Sequence, residues 1–144
     1  MKTKVKYTLC FALALLLTAC ASISPEQAIR TAQARYADSN LLYVEASSNE
    51  LTNALMVAAL GTSASTSSTA LVTLLQRSNQ KPVVVAGQSE RVTAATIRRA
   101  ISDAGTSLPI RGRLVIIGDA NAFAEVVTTA QSRGLAVEVI APSP

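Results

Sequence analysis

The sequence predicts an α/β domain: a small three-layer sandwich with a four-stranded, mainly parallel sheet, preceded by an N-terminal helix. Two observations carry this expectation. First, one unit is stated twice in the second half of the chain: an apolar run, a glycine turn, a helical stretch and a closing glycine. The turn glycines Gly87 and Gly118 stand 31 positions apart and the closing glycines Gly105 and Gly134 stand 29 apart, the length of a strand with its crossover helix. Second, the runs at 82–86 (PVVVA) and 114–117 (LVII) show no polar alternation, which suits strands covered on both faces. Right-handed crossovers are expected to lay helices on both sides of such a sheet.

The elements follow in order. Ser24-Pro25-Glu26-Gln27 reads as a helix start, with Ser24 as N-cap, Pro25 in the first turn and Gln27 closing a capping box. Ile29, Ala32 and Tyr36 share one face of that helix, which runs to about Asp38. The first strand is expected over about 41–46 (LLYVEA), between Ser39-Asn40 and Ser47-Ser48-Asn49. Glu50 to Leu60 is helical by the spacing of Leu51, Ala54, Leu55 and Ala58, and Gly61 stands where a closing glycine would.

Residues 62–69 (TSASTSST) carry no apolar anchor and read as a flexible loop; a shorter helix follows from Ala70 to Arg77 through Leu71, Leu74 and Leu75. The remaining strands are expected at about 82–86, 114–117 and 135–140. Helices from Glu90 to Ala104 (core face Ile97, Ala100, Ile101, Ala104) and from Ala120 to Arg133 (Phe123, Val126, Val127, Ala130) lie between them.

The first residues belong to a different kind of segment. Lys2, Lys4 and Lys6 precede an apolar run from Leu9 to Leu17, the charge and hydropathy order of an export signal. That run is about half the roughly 20 residues a membrane-crossing helix needs. Ala19-Cys20-Ala21 fits ordinary secretory cleavage, which would release a chain beginning at Ser22.

Leu17-Thr18-Ala19-Cys20 also resembles the lipobox of bacterial prolipoproteins, over the first 20 residues or so. The resemblance implies a signal peptide over 1–19, a diacylglyceryl thioether on Cys20 and further acylation of its new amino group. Two or three acyl chains hold a protein to a bilayer where one does not. With Ala21 after the cysteine, the resemblance implies the outer membrane of a two-membrane bacterium, with the domain facing the periplasm. In a bacterium with one membrane the same anchor would hold the chain on the outer surface of the cell. The expected organisation is thus 1–19 signal, 20–24 lipidated cysteine and short tether, and 25–144 a single α/β domain. The four residues between Cys20 and Pro25 reach roughly 14 Å when extended, so the domain should ride close to the membrane.

Composition narrows the functions. The chain has 13 basic and 9 acidic residues; loss of Lys2, Lys4 and Lys6 leaves 10 against 9, a balance of +1 that gives a nucleic-acid partner no electrostatic support. Cys10 would leave with the signal and Cys20 carry the lipid, so no disulfide is available and packing must hold the domain. With Tyr36, Tyr43 and Phe123 the aromatics after the signal, that packing falls to Val, Ile, Leu and Ala.

The chain contains no histidine, which removes Ser–His catalysis and histidine metal sites. A Ser–Lys pair would depend on Lys81, expected at the wrong edge of the sheet. Asp119 as a Mg²⁺ ligand would need carboxylate company, for which Glu45 is the nearest candidate. No metal or other cofactor is implied.

Ligands of parallel α/β sheets bind where the strands end. That edge should gather Ser47, Ser48 and Asn49 with the candidate site residues Gly87, Gln88, Ser89, Gly118, Asp119 and Asn121, assisted by Arg91. Free N–H groups there could hold a small anion; the same residue types also serve as helix caps. Arg98-Arg99 and Arg111/Arg113 are the densest positive features, suited to solvated faces or to lipid headgroups. The sequence therefore points to a non-enzymatic, membrane-anchored lipoprotein whose partner is another envelope protein, of the accessory or assembly kind that serves secretion, conjugation or pilus machines. A small-anion binder at the Gly87 and Gly118 turns is the alternative.

Overall fold

A computed structural model describes residues 22–77, 81–107 and 112–144. The lipobox-like residues Leu17 to Cys20, and Arg111, lie outside the described residues. The elements are α1 (Pro25–Arg35), β1 (Asn40–Val44), α2 (Glu50–Leu60), α3 (Thr66–Arg77), β2 (Val83–Gly87), α4 (Glu90–Ala104), a short 3₁₀ turn (Gly105–Ser107), β3 (Arg113–Ile117), α5 (Ala124–Ser132) and β4 (Ala136–Ile140). The four strands form one sheet in the order β1-β2-β3-β4, and every pairing is parallel. The α/β class, the all-parallel sheet and the N-terminal helix agree with the sequence.

The layering arises differently from the expectation. Each strand is added beside the one before it, always in the same direction, so crossovers of a single hand all fall on one face. On that face Val83, Val85, Leu114 and Ile116 pack with Leu71 and Leu75 of α3, Ile97 and Ile101 of α4, and Phe123 and Val126 of α5. The opposite face presents Val84, Ala86, Val115, Ile117 and Ile140, and it is met by Ile23 and by Ala28 and Ala32 of α1. The third layer is therefore built on the N-terminal helix, and not on a share of the crossovers. β2, and β3 after the exposed Arg113 at its start, are apolar because they lie between the two layers; Val83 to Ala86 and Leu114 to Ile117 are all buried.

Several local expectations are corrected. The buried face of α1 is Ala28, Thr31 and Ala32, while Ile29 is 45% exposed, and the helix ends at Arg35. Ser24 Oγ accepts the Gln27 N–H at 3.2 Å, but the Gln27 side chain does not close the box. Its Nε2 donates instead to the Ser143 carbonyl at 2.8 Å, and the Ser143 N–H donates to Thr31 Oγ1 at 2.9 Å. The chain after β4 is thus stitched along α1, and the second sheet layer is helix plus tail. At the far end of that layer the Tyr36 hydroxyl donates to Glu138 Oε2 at 2.5 Å.

The expected flexible loop over 62–69 is helical from Thr66. Ser65 Oγ accepts the Ser68 N–H at 3.1 Å and Ser68 Oγ accepts the Ser65 N–H at 2.8 Å, a reciprocal cap in which serine stands where glutamate is usual. Ser68 is buried, so a serine-rich stretch that looks featureless in one dimension is a helix start in three. The expected start of α5 at Ala120 moves to Ala124, because Asp119 holds the intervening residues in a turn. β1 ends at Val44 and not at Ala46. Gly61 closes α2 with ordinary right-handed geometry, whereas Gly105 and Gly134 close their helices with φ of +55° and +78°.

Two outcomes follow for stability. Ser65→Ala removes one side of the α3 cap and should lower unfolding free energy by about 1 kcal/mol in urea titration. The hydrogen bond to Glu138 raises the pKa of Tyr36 above its usual value near 10, with burial adding to it. The neutral phenol is thereby favoured in the folded state, so its contribution is fully present below the unfolded pKa and is lost as pH rises through the folded one. Urea midpoints measured across the alkaline range should fall less steeply for Tyr36→Phe than for the natural chain.

Candidate functional site

The candidate residues meet at the carboxyl edge of the sheet, and backbone register determines how closely. Val44 pairs with Gly87 at the ends of β1 and β2, and the Gln88 N–H donates to the Val44 carbonyl at 3.1 Å. A Cβ on Gly87 would lie 2.1 Å from Thr93 Oγ1 and 2.8 Å from the Val44 carbonyl oxygen. Glycine is needed there because helix α4 comes down directly on the strand ends. Ser89 caps that helix: its Oγ accepts the Val92 N–H at 3.5 Å, and its carbonyl accepts from Thr93 Oγ1 at 2.8 Å.

Asn53 was not among the residues singled out from the sequence, yet it organises the β1–α2 connection. It is buried, its Oδ1 accepts the Ser47 N–H at 2.8 Å and its Nδ2 donates to the Ser47 carbonyl at 2.9 Å. A polar residue in an otherwise apolar helical stretch was the available signal. Asn49 caps α2 by accepting from the Leu51 and Thr52 N–H groups.

Gly118, Asp119 and Asn121 form a second cluster. The Asp119 N–H donates to Glu90 Oε1 at 2.7 Å, and Asp119 Oδ1 accepts from the Asn121 and Ala122 N–H groups at 2.7 and 3.4 Å. A Cβ on Gly118 would meet Phe123 Cε2 at 2.5 Å and Glu90 Oε1 at 2.9 Å. Two carboxylates therefore occupy the N–H groups that an anion would need at this turn.

An open cavity of about 530 Å³ lies at the first two turns, lined by Ser47, Ser48, Gln88, Ser89, Glu90 and Arg91 among others. Gly118, Asp119 and Asn121 are not part of its lining; Glu90 links the two clusters. Ser22 also lines this cavity, as do Glu50 and Asn53 from the start of α2. Arg91 lies 3.8 Å from Glu50, both well exposed, a separation and exposure that contribute little. Lys81 pairs with Asp38 at 2.6 Å, before β2 begins and thus at the opposite end of that strand from Ser89. No group of three or more His, Cys, Asp or Glu side chains converges among the described residues.

Beside the polar edge lies an apolar surface. Helix α2 is apolar on most of its circumference and packs chiefly against α4. Its partly buried side is Met56 and Val57, while Leu51 is 71% exposed and Leu55 64% exposed. The leucines that signalled a helix thus face outward, because Asn53 and Leu60 take the inward positions. The Arg98-Arg99 pair is engaged elsewhere: Arg98 with Glu125 at 3.0 Å and Arg99 with Asp103 at 2.8 Å.

No family model, curated protein or solved structure matches this chain. The class defined here is an all-parallel α/β sandwich with its strand-end turns filled by helix caps.

Gly87→Ala should destabilise the domain by more than Gly118→Ala, since its Cβ meets the Val44 backbone carbonyl as well as Thr93, while the other meets only side chains, the Phe123 ring edge and the Glu90 carboxylate. Overpacking of this kind costs about 1–3 kcal/mol or more, readable as a shift in chemical denaturation midpoint.

Proposed function

We propose that this chain is a lipid-anchored bacterial envelope protein, attached through Cys20, whose α/β domain is a non-enzymatic module that contacts another envelope protein. The anchor rests on the resemblance of Leu17-Thr18-Ala19-Cys20 to a lipobox, and Ala21 favours the outer membrane with the domain in the periplasm. The observation that best supports a binding module over an anion site is the Glu90 carboxylate on the Asp119 N–H. A negative side chain already sits where a phosphate or carboxylate would bind, and would repel one. The Ser89 hydroxyl is likewise directed to its own helix. A protein partner serving a secretion, conjugation or pilus machine is the reading that makes use of a domain kept close to a membrane.

Crosslinking in intact cells, followed by identification of the captured protein, tests the partner. A specific envelope protein should be recovered from the natural chain and equally from Ser89→Ala, which should cost only the roughly 1 kcal/mol of a lost cap. Saturable binding of inorganic phosphate abolished by Ser89→Ala would replace this reading with the small-anion one. Mass spectrometry of the mature chain should find residue 20 at the amino terminus and carrying acyl groups; an unmodified chain beginning at Ser22 would remove the anchor.

A further inference from the structure

We infer that the exposed apolar face of α2, centred on Leu51 and Leu55, lies against the lipid bilayer beside the anchor. The inference rests on the lipid-anchor reading above and adds an orientation to it. Three observations carry it. Ser22 lines the same cavity as Glu50 and Asn53, so the first turn of α2 lies beside the point where the tether meets the domain. Cys20 is two residues before Ser22, a span of at most about 7 Å. A lipid on Cys20 therefore holds the start of α2 within reach of the interfacial region.

The face itself suits a bilayer. Leu51 and Leu55 are four residues apart and so share one side of the helix; they are 71% and 64% exposed. The single charged residue of α2 is Glu50, with Arg91 at 3.8 Å, so laying the helix on lipid brings little charge with it. The size of the patch separates lipid from a second copy. Two leucine side chains fall far short of the roughly 800 Å² per partner that a stable protein interface buries. Next to an existing tether a small apolar contact is sufficient, because the anchor keeps its local concentration at the membrane high.

The chain has no tryptophan, which allows a direct test. The mature chain starting at Cys20, its sole thiol, is coupled to a maleimide phospholipid in phosphatidylethanolamine/phosphatidylglycerol vesicles. Leu51→Trp, Leu55→Trp and Gln131→Trp are compared, the last being exposed on α5. With the fold of each variant checked by circular dichroism, emission from positions 51 and 55 should shift to the blue and be quenched by brominated lipid, while position 131 stays solvent-like and unquenched.

Unquenched, solvent-like emission at 51 and 55 overturns the orientation. A blue shift without quenching by brominated lipid assigns the face to a second copy and overturns it as well. Because the lipid is attached chemically, none of these outcomes depends on processing in the cell. Failure of the anchor reading shows separately, in the mass of the chain extracted from membranes.

Discussion

A sheet whose strands are added in simple sequence has one face that its own crossovers cannot cover. That constraint shapes the rest of this molecule. Val84, Ala86, Val115 and Ile117 would otherwise be open to water, and burying a valine or isoleucine side chain is worth about 1.5–3 kcal/mol. The cover is assembled from the two ends of the domain: α1 from the front, and the segment after β4 from the back, joined through Gln27, Thr31 and Ser143. Tyr43 reaches across from β1 to the Ile23 carbonyl at 2.5 Å and fixes the entry of the chain at the carboxyl edge of the sheet.

The placement of that entry decides which surface lies beside the start of the domain. An N-terminal helix docked the other way along the sheet would bring Ser22 to the end marked by Lys81 and Asp38. As it stands, Ser22 opens onto the turns after β1 and β2 and onto α2. The turns themselves are spent on structure: Asn49 and Ser89 cap helices, Asn53 holds a loop, and Glu90 with Asp119 closes the turn after β3. Magnitudes agree with this division. Exposed ion pairs such as Lys81–Asp38 contribute at most about 1 kcal/mol, so the aliphatic layers hold the domain and the polar edge mainly sets its geometry.

Much of the architecture was legible in the sequence because the signals were redundant. The runs at 82–86 and 114–117 named buried strands, and Gly105 and Gly134 marked helix ends that need a left-handed residue. The candidate edge was legible as a place. The link between its two clusters was not, because that depends on the Glu90 side chain crossing between α4 and the β3–α5 turn, residues 29 positions apart. Asn53 was overlooked for a related reason: an amide's role is set by which carbonyl lies beside it. The serines at 65 and 68 were misjudged because composition does not reveal reciprocal hydrogen bonds.

The amino-acid order alone thus determined the class of fold, the number of strands and the ends of α2, α3 and α4, since these follow from local hydropathy and backbone preference. Tertiary structure decided which sheet face each helix covers, that Leu51 and Leu55 point outward, and that the anion-binding groups of the Gly118 turn are already answered. Those outcomes rest on contacts between residues distant along the chain, and no periodicity within a single segment encodes them.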